Sequence, residues 1–202
     1  MRHELIERTW RPAVVGALVL LAGITAGCSS PAPLPINQSG AWSTRTLDHS
    51  YVTVSVPSGW NVGEAWIQPS SFTDLVGSFS NQSLSPPCTT GANTIGCGLP
   101  LQSLQPGAML VEIWQNGSPD WSLDSVGGAP TTVSGLPARV IDESGGGAGY
   151  CSGMGADRNR SAFIPFPTAS DNWIEVDICS RGVPAAIGAR ILASVAVSLP
   201  TS

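Results

Sequence analysis

The 202-residue chain contains no lysine and only two histidines. Its longest uninterrupted apolar run, residues 13–24, is well short of the roughly 20 residues needed to cross a bilayer. Each shortage excludes something. Nine basic residues, all arginine, stand against 14 acidic ones, and the net charge of −5 argues against nucleic acid, whose binding needs several phosphate-neutralising cations. A phosphate-binding loop of the Walker type has no lysine to draw on. A Ser–His–Asp triad needs an imidazole as proton carrier. With His3 in the leader, only His49 remains, beside Asp48 and ahead of the first strand, where an exposed loop histidine is expected. There is no C-x-x-C pair and no D-x-D-x-D-G loop, so neither a zinc site nor a calcium loop is expected, and no cofactor is implied.

What is present begins with an export pattern. Arg2, Arg8 and Arg11 form a basic segment diluted by Glu4 and Glu7, followed by the apolar run at 13–24 and then by Thr-Ala-Gly-Cys at 25–28. Small residues ahead of a cysteine resemble the lipobox of bacterial lipoproteins, although Thr25 stands where leucine is usual. The resemblance implies cleavage before Cys28 and a diacylglyceryl thioether on it, with residues 1–27 as the signal peptide. Residues 28–40 hold three prolines and no charge, which suits an extended tether. Each buried CH₂ of an acyl chain contributes about 0.8 kcal/mol, so two long chains anchor firmly. Residues 41–202 are then a single globular domain outside the membrane.

Cysteine usage agrees with export. Besides Cys28 there are Cys88, Cys97, Cys151 and Cys179, an even number that reads as two disulfides. Three connectivities are possible. The favoured one joins Cys88 to Cys97 across a short Gly/Thr/Asn loop and Cys151 to Cys179.

Along the chain, residues 51–56 alternate apolar and hydroxyl side chains as a half-buried strand, ended by a Pro-Ser-Gly turn. Residues 61–68 read as a second strand with Val62 and Trp66 inward. Residues 70–79 read as a short helix, with Phe72, Leu75, Val76 and Phe79 on one side. Residues 80–106 form a long loop, the kind that is commonly functional or stapled. Further strands are expected at 108–115, 131–134, 138–143, 160–166 and 173–179. Within the last, Ile174, Val176 and Ile178 face one way, and Trp173, Glu175 and Asp177 the other. From Pro184 to about Val197 the spacing of Ile187, Ile191, Leu192 and Val195 predicts a helix.

Three motifs in order carry a family resemblance: Val-Pro-Ser-Gly-Trp at 56–60, Val-Ser-Gly-Leu-Pro-Ala-Arg-Val at 133–140, and a closing strand followed by a helix ending Ile-Leu-Ala-Ser-Val at 191–195. Together they resemble small bacterial lipoproteins of the PsbP-like type, which include the LpqN-type proteins of actinobacteria. The resemblance implies an α+β fold: a curved antiparallel sheet flanked by helices, an αβα sandwich with the C-terminal helix packed on the sheet. It implies binding or assembly rather than enzyme chemistry.

The residues support no catalytic set. Gly149-Tyr150-Cys151-Ser152-Gly153 mimics a nucleophile elbow, yet no histidine follows it and Cys179 offers a disulfide partner. The glycine-rich stretch at 144–149 is expected to be a flexible connection, and Arg158, Arg160 and Arg181 a solvated face. Asp142, Glu143, Glu175 and Asp177 are expected as solvent-facing strand carboxylates. Trp114, Trp121 and Trp173 are the candidate ligand-binding residues, able to stack a sugar ring or a lipid. The leading expectation is therefore a non-catalytic, membrane-anchored module that binds an envelope small molecule, saccharide or lipid. The alternatives are an envelope assembly factor that uses the 80–106 loop and, last, a cell-wall hydrolase that uses Glu175, Asp177 or Cys151.

Overall fold

The computed structural model describes residues 31–37, 39–47, 50–67, 72–86, 88–90, 95–145, 149–166 and 169–198. The export signal, Cys28, Asp48 and His49 lie outside the described residues, as do residues 146–148 of the glycine-rich stretch and the side chains of Cys88 and Cys97. Among the described residues no helix is long and apolar enough to cross a membrane.

The architecture is built on one large sheet of seven strands, all paired antiparallel. Its strands are β3 (Asn61–Gly63), β4 (Thr73–Ser80), β7 (Met109–Gly117), β8 (Ala129–Val133), β9 (Leu136–Ser144), β10 (Arg158–Phe166) and β11 (Ala169–Ser180). They lie side by side in the order β3-β4-β7-β11-β10-β9-β8. A three-stranded sheet, β1 (Trp42–Thr46), β2 (Val52–Pro57) and β12 (Ala196–Val197), packs on its first face together with helix α2 (Ala185–Ala193). A small hairpin, β5 (Cys88–Thr90) and β6 (Ile95–Cys97), stands apart from both sheets. Two short helical turns, a 3-10 turn at Leu123–Ser125 and α1 (Tyr150–Gly153), complete the described elements.

The expected α+β sandwich, with helices on both faces of the sheet, is therefore corrected. The described chain is mostly strand, and its one helix of more than a single turn lies on the first face, in the same layer as a second sheet. Two local misreadings account for much of the difference. Where a helix was expected over 70–79, residues 73–80 form strand β4. The register of β4 against β7 slips between Leu75 and Gly77. Such a bulge adds one residue to the alternation, so buried positions fall at Leu75, Val76 and Phe79 and imitate helical spacing. The C-terminal helix also stops four residues early. The Ser194 hydroxyl donates to the Ile191 carbonyl at 2.6 Å and accepts from the Ser55 backbone N–H at 2.9 Å. That contact turns the chain, and Ala196 and Val197 pair with Val52 and Thr53 along β2.

The first face is a continuous apolar layer. Val52, Val54 and Val56 of β2 and Ile187 and Ile191 of α2 meet Phe79, Met109, Val111, Ile113, Ile174, Val176 and Ile178 of the sheet, all at most 2 % exposed. Gly188 lets α2 approach the sheet closely, since a Cβ there would lie 3.3 Å from Ile178 Cγ2. The β8–β9 hairpin turns on Ser134 and Gly135, both at positive φ, as a two-residue hairpin loop requires. Val62 is 53 % exposed rather than inward. Part of the expected tether is docked: the Leu34 N–H donates to the Asn81 carbonyl at 2.7 Å, and Ile36 packs against the first core.

Candidate functional site

The second face of the large sheet has a different composition, arranged in rows across paired strands. Leu110 of β7 pairs with Cys179 of β11, Glu112 with Asp177, Trp114 with Glu175, and Asn116 with Trp173. On the outer sides of this pair, Ser78 of β4 stands opposite Glu112, and Ser161 of β10 opposite Asp177. The face thus passes from an apolar end, through an acidic middle, to an aromatic end.

The apolar end is covered. Leu101, Leu104, Ala108, Cys151, Met154 and Ala156 form a second core over Leu110 and Cys179. The disulfide between Cys151 and Cys179, spanning 28 residues, ties α1 to the sheet. The Leu104 N–H donates to the Met154 carbonyl at 2.8 Å, and the Arg181 guanidinium donates to the Leu104 carbonyl at 2.9 Å. Asn81 and Gln82 hold the other side of this cover. Asn81 donates to the Gly107 carbonyl and accepts from the Met109 N–H, and Gln82 accepts from the Gln105 N–H. Leu101 and Leu104 bring the 98–106 segment onto the sheet, so these apolar side chains face inward.

The acidic middle is left short of partners. Glu112 is fully buried, and neither of its carboxyl oxygens has a hydrogen-bond partner. The Tyr150 hydroxyl, also buried and unpartnered, and the Trp114 ring N–H stand near enough to favour the charged form, but not in hydrogen-bond geometry. Burial dominates and pushes the Glu112 carboxyl up to about 7, with a further push from the charge of Asp177. Glu175 is raised to about 7 as well, by burial and then by Asp177, against the hydrogen bond it accepts from Asn116 Nδ2 at 2.9 Å. Burial also raises Asp177, opposed by the Ser161 hydroxyl, which donates to Oδ1 at 2.5 Å. Tyr150 is held well above the usual tyrosine range by burial and by Glu112. Each of these shifts has desolvation as its leading cause.

A cavity of about 230 Å³ opens onto this middle, lined by Thr73, Leu99, Trp114, Asn116, Tyr150, Glu175 and Asp177. Polar groups converge there beside an aromatic wall, which is the usual make-up of a small-molecule site. A groove of about 370 Å³ runs between α2 and the β8–β9 hairpin. Its lining is mostly apolar, and its arginine, Arg160, is already engaged by Asp142.

No protein-family model matches the chain, and no curated protein is significantly similar to it in sequence. The αβα sandwich implied by the PsbP-like resemblance is not the fold observed, so that resemblance lends no support to a function.

The structure separates the residues singled out in the sequence. Trp114 lines the cavity. Trp121 and Trp173 instead stack on one another, with ring centroids 4.5 Å apart and planes 9° from parallel. Cys151 is in a disulfide and is no nucleophile. The register sets Cys88 directly opposite Cys97 on the β5–β6 hairpin. Arg158 and Arg160 converge on Asp142, while Arg181 holds the Leu104 carbonyl. Partial burial opposes ionisation of Asp142, but Arg160 and then Arg158 outweigh it and hold the carboxyl below its usual range. Glu175 and Asp177 are half-buried and line the cavity, which corrects the expectation that they face solvent. Glu112 and Tyr150 were missed as site residues. The signal for Glu112 lay in the run Met-Leu-Val-Glu-Ile-Trp at 109–114. A strand apolar at successive positions is buried on both faces, so its single acid is buried too.

Proposed function

We propose that the chain is a lipid-anchored extracytoplasmic binding protein whose ligand occupies the cavity bounded by Trp114, Tyr150, Glu175 and Asp177. The address rests on the basic segment, the short apolar run and the Thr-Ala-Gly-Cys sequence ending at Cys28. A disulfide between Cys151 and Cys179 is in keeping with an oxidising compartment. The observation that carries the binding role is an open cavity lined by the Glu175 and Asp177 carboxyls, by Tyr150, whose hydroxyl has no partner, and by a tryptophan wall. Buried polar groups are almost always hydrogen-bonded, so groups left without partners beside a cavity mark where a ligand contributes. The adaptor alternative has less support, because Leu101 and Leu104 of the loop it would use are buried against the sheet.

Two measurements test this. Incorporation of labelled fatty acid, together with retention in the membrane fraction, is expected for the native chain and lost in Cys28→Ser. Thermal scans of the lipidated chain in detergent, against glycans, muropeptides, lipid headgroups and amines, are expected to show a specific upward shift. A ligand at about 100 times its dissociation constant adds roughly 2.7 kcal/mol. The shift disappears in Trp114→Ala. A flat response across the panel would reject the cavity as a binding site.

A second reading, hydrolysis of a wall glycan, draws on Glu175, a half-buried acid raised to about 7 with Asp177 two residues away on the same face. Glycoside hydrolysis needs two carboxyl groups flanking the scissile bond, whereas Glu112, Glu175 and Asp177 all project from one sheet face. Muropeptide turnover that vanishes in Glu175→Gln would establish hydrolysis. Its absence from the native chain would remove that reading.

A further inference from the structure

Three acidic side chains share the middle of the second face, and none of the ion pairs among the described residues includes them. The chain has no lysine, and the arginine ion pairs among the described residues join Arg139 to Asp124 and Arg158 and Arg160 to Asp142. Around Glu112 and Glu175, strand β4 offers Ser78, β10 offers Ser161, α1 offers Tyr150, and β11 offers Asp177, another acid. On β9, Arg139 is separated from Glu175 by Phe163 of the intervening strand. Glu112 is fully buried with both oxygens unpartnered. An unpaired charge on a buried carboxyl is strongly unfavourable, so with no cationic partner among the described residues Glu112 holds its proton up to about 7.

We infer that the ligand carries an ammonium group, seated between the Trp114 ring and the Glu175 and Asp177 carboxylates. This deepens the cavity reading above and rests on it. The wall is suited to such a group, because a cation is attracted to the face of an aromatic ring, tryptophan most strongly. An anionic ligand would be repelled by all three acids. A neutral sugar would give the Glu175 and Asp177 carboxylates beside the Trp114 ring no counter-charge. The described residues bring no three acidic, histidine or cysteine side chains together as a metal-ligand set. An organic cation needs no such set, only charge at short range and an aromatic surface. The ammonium group has two sources, a free amine such as an amino sugar or the headgroup of a zwitterionic phospholipid.

The test uses the lipidated chain in detergent and isothermal titration with choline, ethanolamine, glucosamine, N-acetylglucosamine and calcium. Glucosamine and N-acetylglucosamine differ at the nitrogen that carries the charge. The expected result is binding of the ammonium compounds at least tenfold tighter than N-acetylglucosamine, weakened by salt and strengthened as pH rises through about 7. Binding also releases protons, read as a heat that changes with the buffer's ionisation enthalpy. Glu175→Gln and Trp114→Leu each lose tenfold or more, and circular dichroism checks that both fold. A soluble short-chain phosphatidylcholine, below its micelle concentration, then settles the source. Tighter binding of it than of free choline assigns a lipid headgroup, and the reverse assigns a free amine. Binding of N-acetylglucosamine as tight as that of glucosamine, lost in Trp114→Ala, would overturn the ammonium inference and leave the cavity reading standing. Calcium binding tighter than the amines would likewise overturn it. No binding by any probe, in a chain that also gives flat thermal scans, would remove both.

Discussion

The two faces of the seven-stranded sheet come from the same strands, yet they are built to opposite ends. On the first face Met109, Val111 and Ile113 of β7 and Ile174, Val176 and Ile178 of β11 share one apolar core with β2 and α2. On the second, the alternate positions of the same two strands run Leu110, Glu112, Trp114, Asn116 and Cys179, Asp177, Glu175, Trp173. The first face maximises area removed from water. The second interrupts its own apolar cover with three acids and leaves a cavity over two of them, Glu175 and Asp177. Stability should therefore reside mainly on one side of the sheet and ligand chemistry on the other. Sites that break local packing and hydrogen-bonding rules are where function is expected.

The largest test of that division is Phe79→Ala. The ring is fully buried on the first face, and such truncations cost about 3–5 kcal/mol. Calorimetry should show Tm lower by roughly 10 °C, with ligand affinity of the folded protein unchanged. A large loss of affinity without loss of Tm would break the division.

Removing the second-face bridge comes next. The double variant Cys151→Ala/Cys179→Ala should lose about 2–4 kcal/mol of stability. Because the bridge holds α1, and with it Tyr150, over the acidic middle, this variant should lose affinity as well. That joint loss distinguishes it from Phe79→Ala.

The third effect is smaller and depends on pH. Glu112 holds its proton up to about 7 in the folded chain, against 4.5 ordinarily. Between those values the folded state binds more protons than the unfolded state, so this group makes stability fall as pH rises. The full contribution is at most about 3 kcal/mol. Glu112→Gln should therefore match the native Tm near pH 4 and exceed it near pH 8, where the native chain carries a buried charge. Equal Tm values at pH 8 would show that Glu112 is ionised and compensated, and the contrast between the faces would narrow.

Legibility in the sequence followed the same division. The alternation in 108–115 and 173–179 was enough to assign both strands and to sort their residues by face, because the period of two belongs to the backbone itself. The break between the strands at 131–134 and 138–143 was legible for a local reason too, although Ser134 belongs to the turn, and the favoured pairing of Cys151 with Cys179 followed from the even cysteine count read beside an export pattern. Other features were not local. The bulge in β4 disguised a strand as a helix, and only its pairing with β7 resolves the two. The C-terminal helix yields to β12 because β2 offers Thr53 and Val52 as partners. Trp121 and Trp173 looked equivalent to Trp114, but they stack on one another and neither lines the cavity.

The residues alone therefore determined the acidic balance, the scarcity of histidine, the pattern ending at Cys28 and the two-faced character of β7 and β11. Tertiary structure decided what those faces meet. The pairing of β7 with β11 sets Glu112 beside Asp177. The packing of 98–106 and α1 over the sheet buries that middle and raises its carboxyls. A carboxylate's character depends on its solvation and on its neighbours in space, and neither is encoded at its own position in the chain.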